Sequence, residues 1–335
     1  MHEAAVHGEV HPAFAEVRDV FADSIVKGRE IGAAVAVYHR GVKVVDLWGG
    51  LRDETTGAPW EEDTLTIVFS STKGMAAATL ALAHSRGWLD YNAKVAVYWP
   101  EFAQNGKVDV TVRQMLAHQA GLCCIDTPLT PEILADHDWL ADILAAQKPV
   151  WQPGARHGYH AVSLGFYEGE LLRRVDPQRR TLGQFFQEEI AAPLGLDFFI
   201  GLPRDIPERR LAEVKGFKPR EVLLEPFRMS PRMVLAFVDP KSITSRTFRN
   251  PDIKNPVELG LPMWRHVQMP ASNGFGTARS LAKAYGCLAR GGKELGLKEE
   301  TMRALTAPPI APVLGTHDRV MFVEEIGRAS CRERV

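Results

Sequence analysis

Apolar side chains recur at helical spacing over residues 13–27 (AFAEVRDVFADSIVK), and Gly28 closes the run. Two short β-branched segments follow, 32–38 (GAAVAVY) and 43–48 (KVVDLW). His39, Arg40 and Gly41 separate them, which predicts an antiparallel hairpin. Residues 64–69 (TLTIVF) read as an extended approach. At Ser70 the pattern changes to SSTKGMAAATLALAHSRGWL, an Ala/Leu-rich helix begun by hydroxyl residues. Helices are predicted over 109–118 from Thr111, over 131–147 with Pro131 at the start, and through 161–175 and 181–191. Residues 203–262 are rich in Pro and Arg and read as irregular. Two further helices follow, over 277–291 and 298–307. Residues 313–325 contain RVMFV and predict a last strand. The closing EIGRASCRERV has no hydrophobic periodicity.

Composition narrows the class. The chain has 335 residues, 45% of them apolar and 24% charged, as in a globular protein of about two domains. Forty Lys+Arg against 41 Asp+Glu give a formal charge of −1, so no basic field exists to hold nucleic acid. No apolar run is long enough to span a membrane. The start, MHEAAVHGEVHPAF, lacks a cationic segment followed by an apolar one, so the expectation is a cytoplasmic protein. The four cysteines, 123, 124, 287 and 331, form no CxxC pair. Neither a disulfide framework nor a thiolate zinc site is expected.

The first chemical candidate is Ser70-x-x-Lys73. Three residues along a helix bring both side chains to one face. The serine stands at the positive end of the helix, and a desolvated lysine one turn on can act as base. The spacing alone is weak, since Ser24…Lys27 and Ser280…Lys283 share it. Both of these fall inside helices read as amphipathic surface helices, whereas Ser70 lies at a strand-to-helix junction. It is followed by Gly74, Ala76, Ala77 and Ala78, which permit close packing. The second candidate is Tyr159, in Tyr159-His160-Ala161 after the turn WQPGARHGYH. A phenol held near a lysine can carry a proton between nucleophile and leaving group.

Taken together, these segments resemble a known family. VFSSTKGMAAATLALAHSRGWLDYNAKVAVYWPEF, TVRQMLAHQAGL, WQPGARHGYHAVSLGFYEGELLRRV and SNGFGTARSLAKAYGCLARGG occur in the order expected of the serine β-lactamase and penicillin-binding-protein superfamily. The text is most similar to the family VIII carboxylesterases, which resemble class C β-lactamases, and the likeness covers about residues 13–325. The resemblance implies an α/β, β-lactamase/transpeptidase-like fold, an antiparallel sheet flanked by helices plus a mostly helical domain. Residues 1–78 and 271–325 would form the sheet domain and 79–270 the helical one. It implies Ser70 as acyl-accepting nucleophile and Lys73 with Tyr159 as a coupled base/acid pair. The Ser70 N–H would be one oxyanion donor. The implied substrate is a short-chain carboxylic ester, a small molecule, with no cofactor and no metal.

Two departures qualify the resemblance. The class C second motif ends in Asn, and Ala161 stands there, which tilts the reading from β-lactams to simple esters. The third motif, Lys-Thr-Gly or its His/Trp-x-Gly form, has no match after residue 300. His317-Asp318-Arg319 is nearest and lacks the glycine. The strand that carries it supplies a second oxyanion donor, worth about 2.7–4 kcal/mol. The expectation is a shortened member lacking the C-terminal strands, with an unpaired edge at 32–48 and a non-native tail over 326–335. β-Lactam or D-alanyl peptide hydrolysis, and an inactive binding-only scaffold, are the competing readings. The sequence carries no signature of oligomeric state.

Other groups receive blander readings. Ser163, in a degraded G-x-S-x-G stretch, is expected to face its own helix backbone. His157 and His160 have i, i+3 spacing but no third ligand motif. His118 is expected to hydrogen-bond a loop, Arg173–Arg174 and Arg179–Arg180 to form a solvated face, and Cys123–Cys124 to pack as small hydrophobes.

Overall fold

Alternation builds the first sheet. The computed structural model describes residues 6–216 and 231–323. Strand β2 (Gly32–His39) and strand β3 (Val42–Asp53) form the expected antiparallel hairpin, with Val35 opposite Leu47 and Val37 opposite Val45. The sequence reading placed no strand before it, yet β1 (Val6–Val10) pairs with the other side of β3. Its Val-His-Gly-Glu-Val alternation was the available signal. Helix α1 (Ala15–Val26) packs on β1 and β3, and Val17 and Phe21 meet Val44, Val45 and Leu47. Strand β4 (Ala58–Pro59) extends the sheet from β3, and the order β1-β3-β2 leaves β2 at an edge.

A second antiparallel sheet holds β5 (Thr66–Ile67), β7 (Gly274–Gly276) and β6 (Phe198–Ile200) in the order β5-β7-β6. It leads into α2 (Thr72–Ser85), whose TKGMAAATLALAHS sequence has strong helix formers at most positions. Twelve of its fourteen residues are buried, so α2 is a central rather than a surface helix. Burying a side chain such as Leu80 or Met75 stabilises the fold by roughly 1.5–3 kcal/mol. Helix Ser163–Val175 packs against α2, and helix Ala278–Ala289 packs on β2.

Several expectations needed correction. The helix predicted over 131–147 is two, Pro131–Ala135 and His137–Ala146, because the Asp136 carboxylate caps the second by accepting the Asp138 and Trp139 N–H groups. Within 203–262 the chain is less irregular than its composition suggested, with helices Pro231–Val238 and Ile243–Phe248. Ser280 is buried in the first turn of its helix, where it accepts the Thr277 hydroxyl and the Asp197 N–H. Arg180 is not solvated: its guanidinium is enclosed by Asp176, Glu188 and Glu189. Arg173 is likewise largely buried, between Glu170 and Asp138.

The predicted strand at 313–325 is, over its described residues, a set of turns. Asp318 Oδ1 accepts the Val320 and Met321 N–H groups, and Asp318 N donates to Val323 O, which curls the segment back on itself. Phe322 stands at φ 56°, outside the extended region for a residue with a side chain. Among the described residues no strand follows β7. The tail proposed for 326–335 lies outside them.

Candidate active site

Ser70 occupies a single 3-10 turn, Phe69–Ser71, that joins β5 to α2. Phe69 is held at φ 44°, a left-handed conformation that costs a bulky residue on the order of 1–3 kcal/mol. The neighbourhood over-determines that geometry. Thr72 Oγ1 donates to Phe69 O (2.5 Å) and accepts the Gly274 N–H (2.8 Å), while Val68 N donates to Gly274 O (2.9 Å). Gly274 permits this approach, because a Cβ there would stand 2.6 Å from Thr72 Oγ1. The turn is therefore clamped to β7.

Lys73 is buried, with its ammonium 3.3 Å from Ser70 Oγ. It also donates to Ala161 O (2.6 Å) and Ala271 O (2.9 Å). Burying a cation costs several kcal/mol unless its donors are matched, and these three acceptors match the three N–H bonds. The Ala271 carbonyl is set by two supports. Gly165 lets the 270–271 backbone lie against helix Ser163–Val175, since a Cβ there would meet Ala271 N at 2.3 Å. Asn273, fully buried, accepts Met269 N–H and donates to Trp264 O and Val267 O, which fixes the same loop.

Tyr159 completes the constellation. Its hydroxyl lies 2.7 Å from Ser70 Oγ, and its ring centroid lies 4.8 Å from Lys73 Nζ. Ser70, Lys73 and Tyr159, read from separate stretches of sequence, thus meet within hydrogen-bond reach. Sequence reasoning missed the carbonyls of Ala161 and Ala271, which have no side-chain signature. It also missed Thr72, Asn273 and Gly274, although the last two stand in the quoted SNGFG stretch.

The other candidates fall outside this cluster. Ser163 is buried and donates to Leu122 O (2.8 Å), not to its own helix as expected. His160 accepts the Leu122 N–H at Nε2, and its Nδ1 lies 2.6 Å from Gly158 O, so both ring nitrogens face backbone. Burial pushes it down to about 3, and it is neutral. His118 accepts the His160 N–H, and burial, with the nearby His160, His157 and Lys73, holds it well below the usual imidazole range. His157 Nδ1 lies 3.1 Å from Asp318 Oδ2. Cys123 and Cys124 are buried beside Val320. Glu168, on the helix that packs against α2, is pushed up to about 8 by burial, partly countered by the charge of Lys73. No helix among the described residues is long and apolar enough to cross a membrane.

Similar proteins carry the same architecture. A solved structure of a family VIII carboxylesterase superposes with a TM-score of 0.81 at 37% identity, over 95% of this chain and 80% of that one. A penicillin-binding-protein homologue from Caulobacter crescentus superposes with a TM-score of 0.77 at 37% identity, over 96% of this chain and 81% of that one. Among curated proteins, the esterase/beta-lactamase LipL of Mycobacterium tuberculosis is 36% identical over 294 residues, 88% of this chain and 66% of LipL. The chain spans 66%, 48% and 27% of the lengths of three curated relatives it matches. The fold is β-lactamase/transpeptidase-like, and the sequence model of the Beta-lactamase family matches residues 17–323, which include every group of the site above. The chain belongs to the Beta-lactamase family.

Proposed function

We propose that this protein is a serine hydrolase that cleaves short-chain carboxylic esters through an acyl-enzyme on Ser70. The observation that carries the reading is the convergence of Lys73 Nζ and Tyr159 Oη on Ser70 Oγ, at 3.3 and 2.7 Å. The proposed division into a sheet part and a helical part puts Ser70 and Lys73 in the one and Tyr159 in the other, although α2 runs across residue 78 and β6 joins the sheet of β5 and β7.

Ser70 Oγ attacks the ester carbonyl and its proton passes to the Tyr159–Lys73 pair. The new alkoxide on the former carbonyl is met by the Ser70 N–H. The C–O bond to the alcohol breaks, and the pair returns the proton to the departing oxygen. Water then attacks the acyl-enzyme, gives one proton to the pair, and releases the carboxylic acid as Ser70 Oγ recovers its hydrogen. The pair acts as one unit, because Lys73 Nζ and Tyr159 Oη both reach the same Ser70 Oγ. Two relatives bear esterase or carboxylesterase in their names, which supports the ester assignment. So does Ala161, whose methyl side chain offers no amide to a β-lactam.

Turnover of p-nitrophenyl butyrate and of nitrocefin, each by the wild type and by Ser70→Ala, tests the assignment. The expected result is faster cleavage of the butyrate, lost in the variant. Faster nitrocefin cleavage would move the substrate class to β-lactams, and no turnover of either would favour the binding-only reading.

A further inference from the structure

His317-Asp318-Arg319 entered as the nearest sequence approach to the missing third motif. The structure gives Asp318 other work. Its carboxylate is fully buried and accepts three backbone N–H groups, those of Tyr159 (2.9 Å), Val320 (2.6 Å) and Met321 (2.7 Å). His157 Nδ1 lies 3.1 Å from it. Burial pushes the Asp318 carboxyl up, but His157 and the Met321 and Val320 N–H groups outweigh this and hold it below the usual carboxylate range. The segment around it lies alongside the Tyr159 loop. Val313 N donates to Gly154 O (3.1 Å), Leu314 N to Ala155 O (2.9 Å) and Arg319 N to His157 O (3.0 Å).

We propose that Asp318 is a positioning residue for the reaction: by holding the Tyr159 N–H it fixes where the phenol hydroxyl meets Ser70 Oγ. The proposal rests on Tyr159 carrying the proton, as argued above. The physical ground is leverage. A tyrosine hydroxyl stands roughly 6.5 Å from its own Cα, so a backbone tilt of about 10° moves it about 1 Å, and such a misplacement costs about 10²-fold in rate. The other Tyr159 backbone contact is local, Ala161 N to Tyr159 O (3.0 Å); His118 holds the flanking Gly158 and His160 N–H groups but not that of Tyr159 itself. Asp318 lies 159 residues away in sequence and ties the tyrosine to a separate segment.

A double-mutant cycle tests this, with the rate of fluorophosphonate labelling of Ser70 measured in the wild type, Asp318→Asn, Tyr159→Phe and the double variant. Asp318→Asn is expected to slow labelling about 10²-fold in the wild-type background. In the Tyr159→Phe background it should slow labelling by less than about 2-fold. Equal losses in both backgrounds would mean that Asp318 acts on the fold at large, and would overturn the proposal. Wild-type labelling rates in Tyr159→Phe alone would overturn the role of Tyr159, and the proposal with it. A crystal structure of Asp318→Asn gives a readout independent of activity. The Tyr159 hydroxyl is expected beyond hydrogen-bond reach of Ser70 Oγ, about 3.5 Å or more; a hydroxyl still at 2.7 Å would contradict the proposal. Should the Asn variant not fold, Asp318→Glu, which keeps the charge and displaces it by one methylene, carries the same cycle.

Discussion

Two buried lysines of this molecule have nearly the same surroundings. Lys107 donates to three carbonyls, those of Gln104 (3.0 Å), Ala145 (2.9 Å) and Gln147 (2.7 Å), and lies 5.2 Å from the centroid of the Phe102 ring. Lys73 donates to two carbonyls and lies 4.8 Å from the centroid of the Tyr159 ring. Its ammonium also lies 3.3 Å from the Ser70 hydroxyl. The difference is two oxygens. A serine hydroxyl replaces the third carbonyl, and a phenol replaces the phenyl ring. Both lysines bear a burial cost, which pushes Lys107 down to about 8. At Lys107 the carbonyls offset that cost and pin loops together. At Lys73 the same arrangement leaves one N–H on an oxygen that can react. On the proposed mechanism, the site is a structural lysine knot with one acceptor made chemically useful.

Substitutions at the two lysines should separate accordingly. Lys73→Met is expected to slow ester cleavage by about 10²–10⁴-fold, with a destabilisation of about 1–3 kcal/mol from the stranded Ala161 and Ala271 carbonyls. Lys107→Met should leave Ser70 labelling nearly unchanged but destabilise the fold by about 2–4 kcal/mol, because it strands three buried carbonyls. Kinetics and thermal melts of both variants check the pair; matching profiles would erase the distinction. Next in size is Gly274→Ala. Its Cβ would press on Thr72 Oγ1 and on the Phe198 ring, both 2.6 Å away, and would loosen the clamp on Phe69. Destabilisation of about 1–3 kcal/mol is expected, together with slower labelling.

An effect of comparable size concerns pH. The Glu168 carboxyl is raised from 4.5 to about 8 in the folded chain, so it is neutral where the unfolded chain is ionised. A group raised in the folded state contributes fully below the unfolded value, and the contribution is lost as pH rises through the folded one. Stability should fall between about pH 4.5 and 8, by roughly 2–4 kcal/mol at pH 7. In Glu168→Gln that slope should flatten, which melts at pH 5 and pH 8 would reveal. An unchanged slope would place the carboxylate in its ionised form.

Local physics explains what was legible in the sequence. The β2–β3 hairpin, α2 and the Ser70–Lys73 spacing depend on periods of two and of three to four residues, which survive in one dimension. Tyr159 was a candidate from its place after the WQPG turn, and the resemblance of several segments in order gave it a role. The carbonyls of Ala161 and Ala271 were invisible, because any residue can present a carbonyl and only the tertiary path decides which one does. RVMFV looked like a strand because its apolar content was right, but the Asp318 carboxylate bonds its own following N–H groups and turns the chain. Lys107 drew no attention, since nothing in its local sequence marks a lysine as buried. Arg180 was misread for a related reason: its carboxylate partners at 188 and 189 come close only once the chain bends back.

The most direct measurement is the intact mass of the protein after treatment with a fluorophosphonate, beside Ser70→Ala and Lys107→Met. One adduct on the wild type and on Lys107→Met, with none on Ser70→Ala, is the predicted result. An adduct that persists in Ser70→Ala, or its absence from the wild type, would contradict Ser70 as the activated nucleophile.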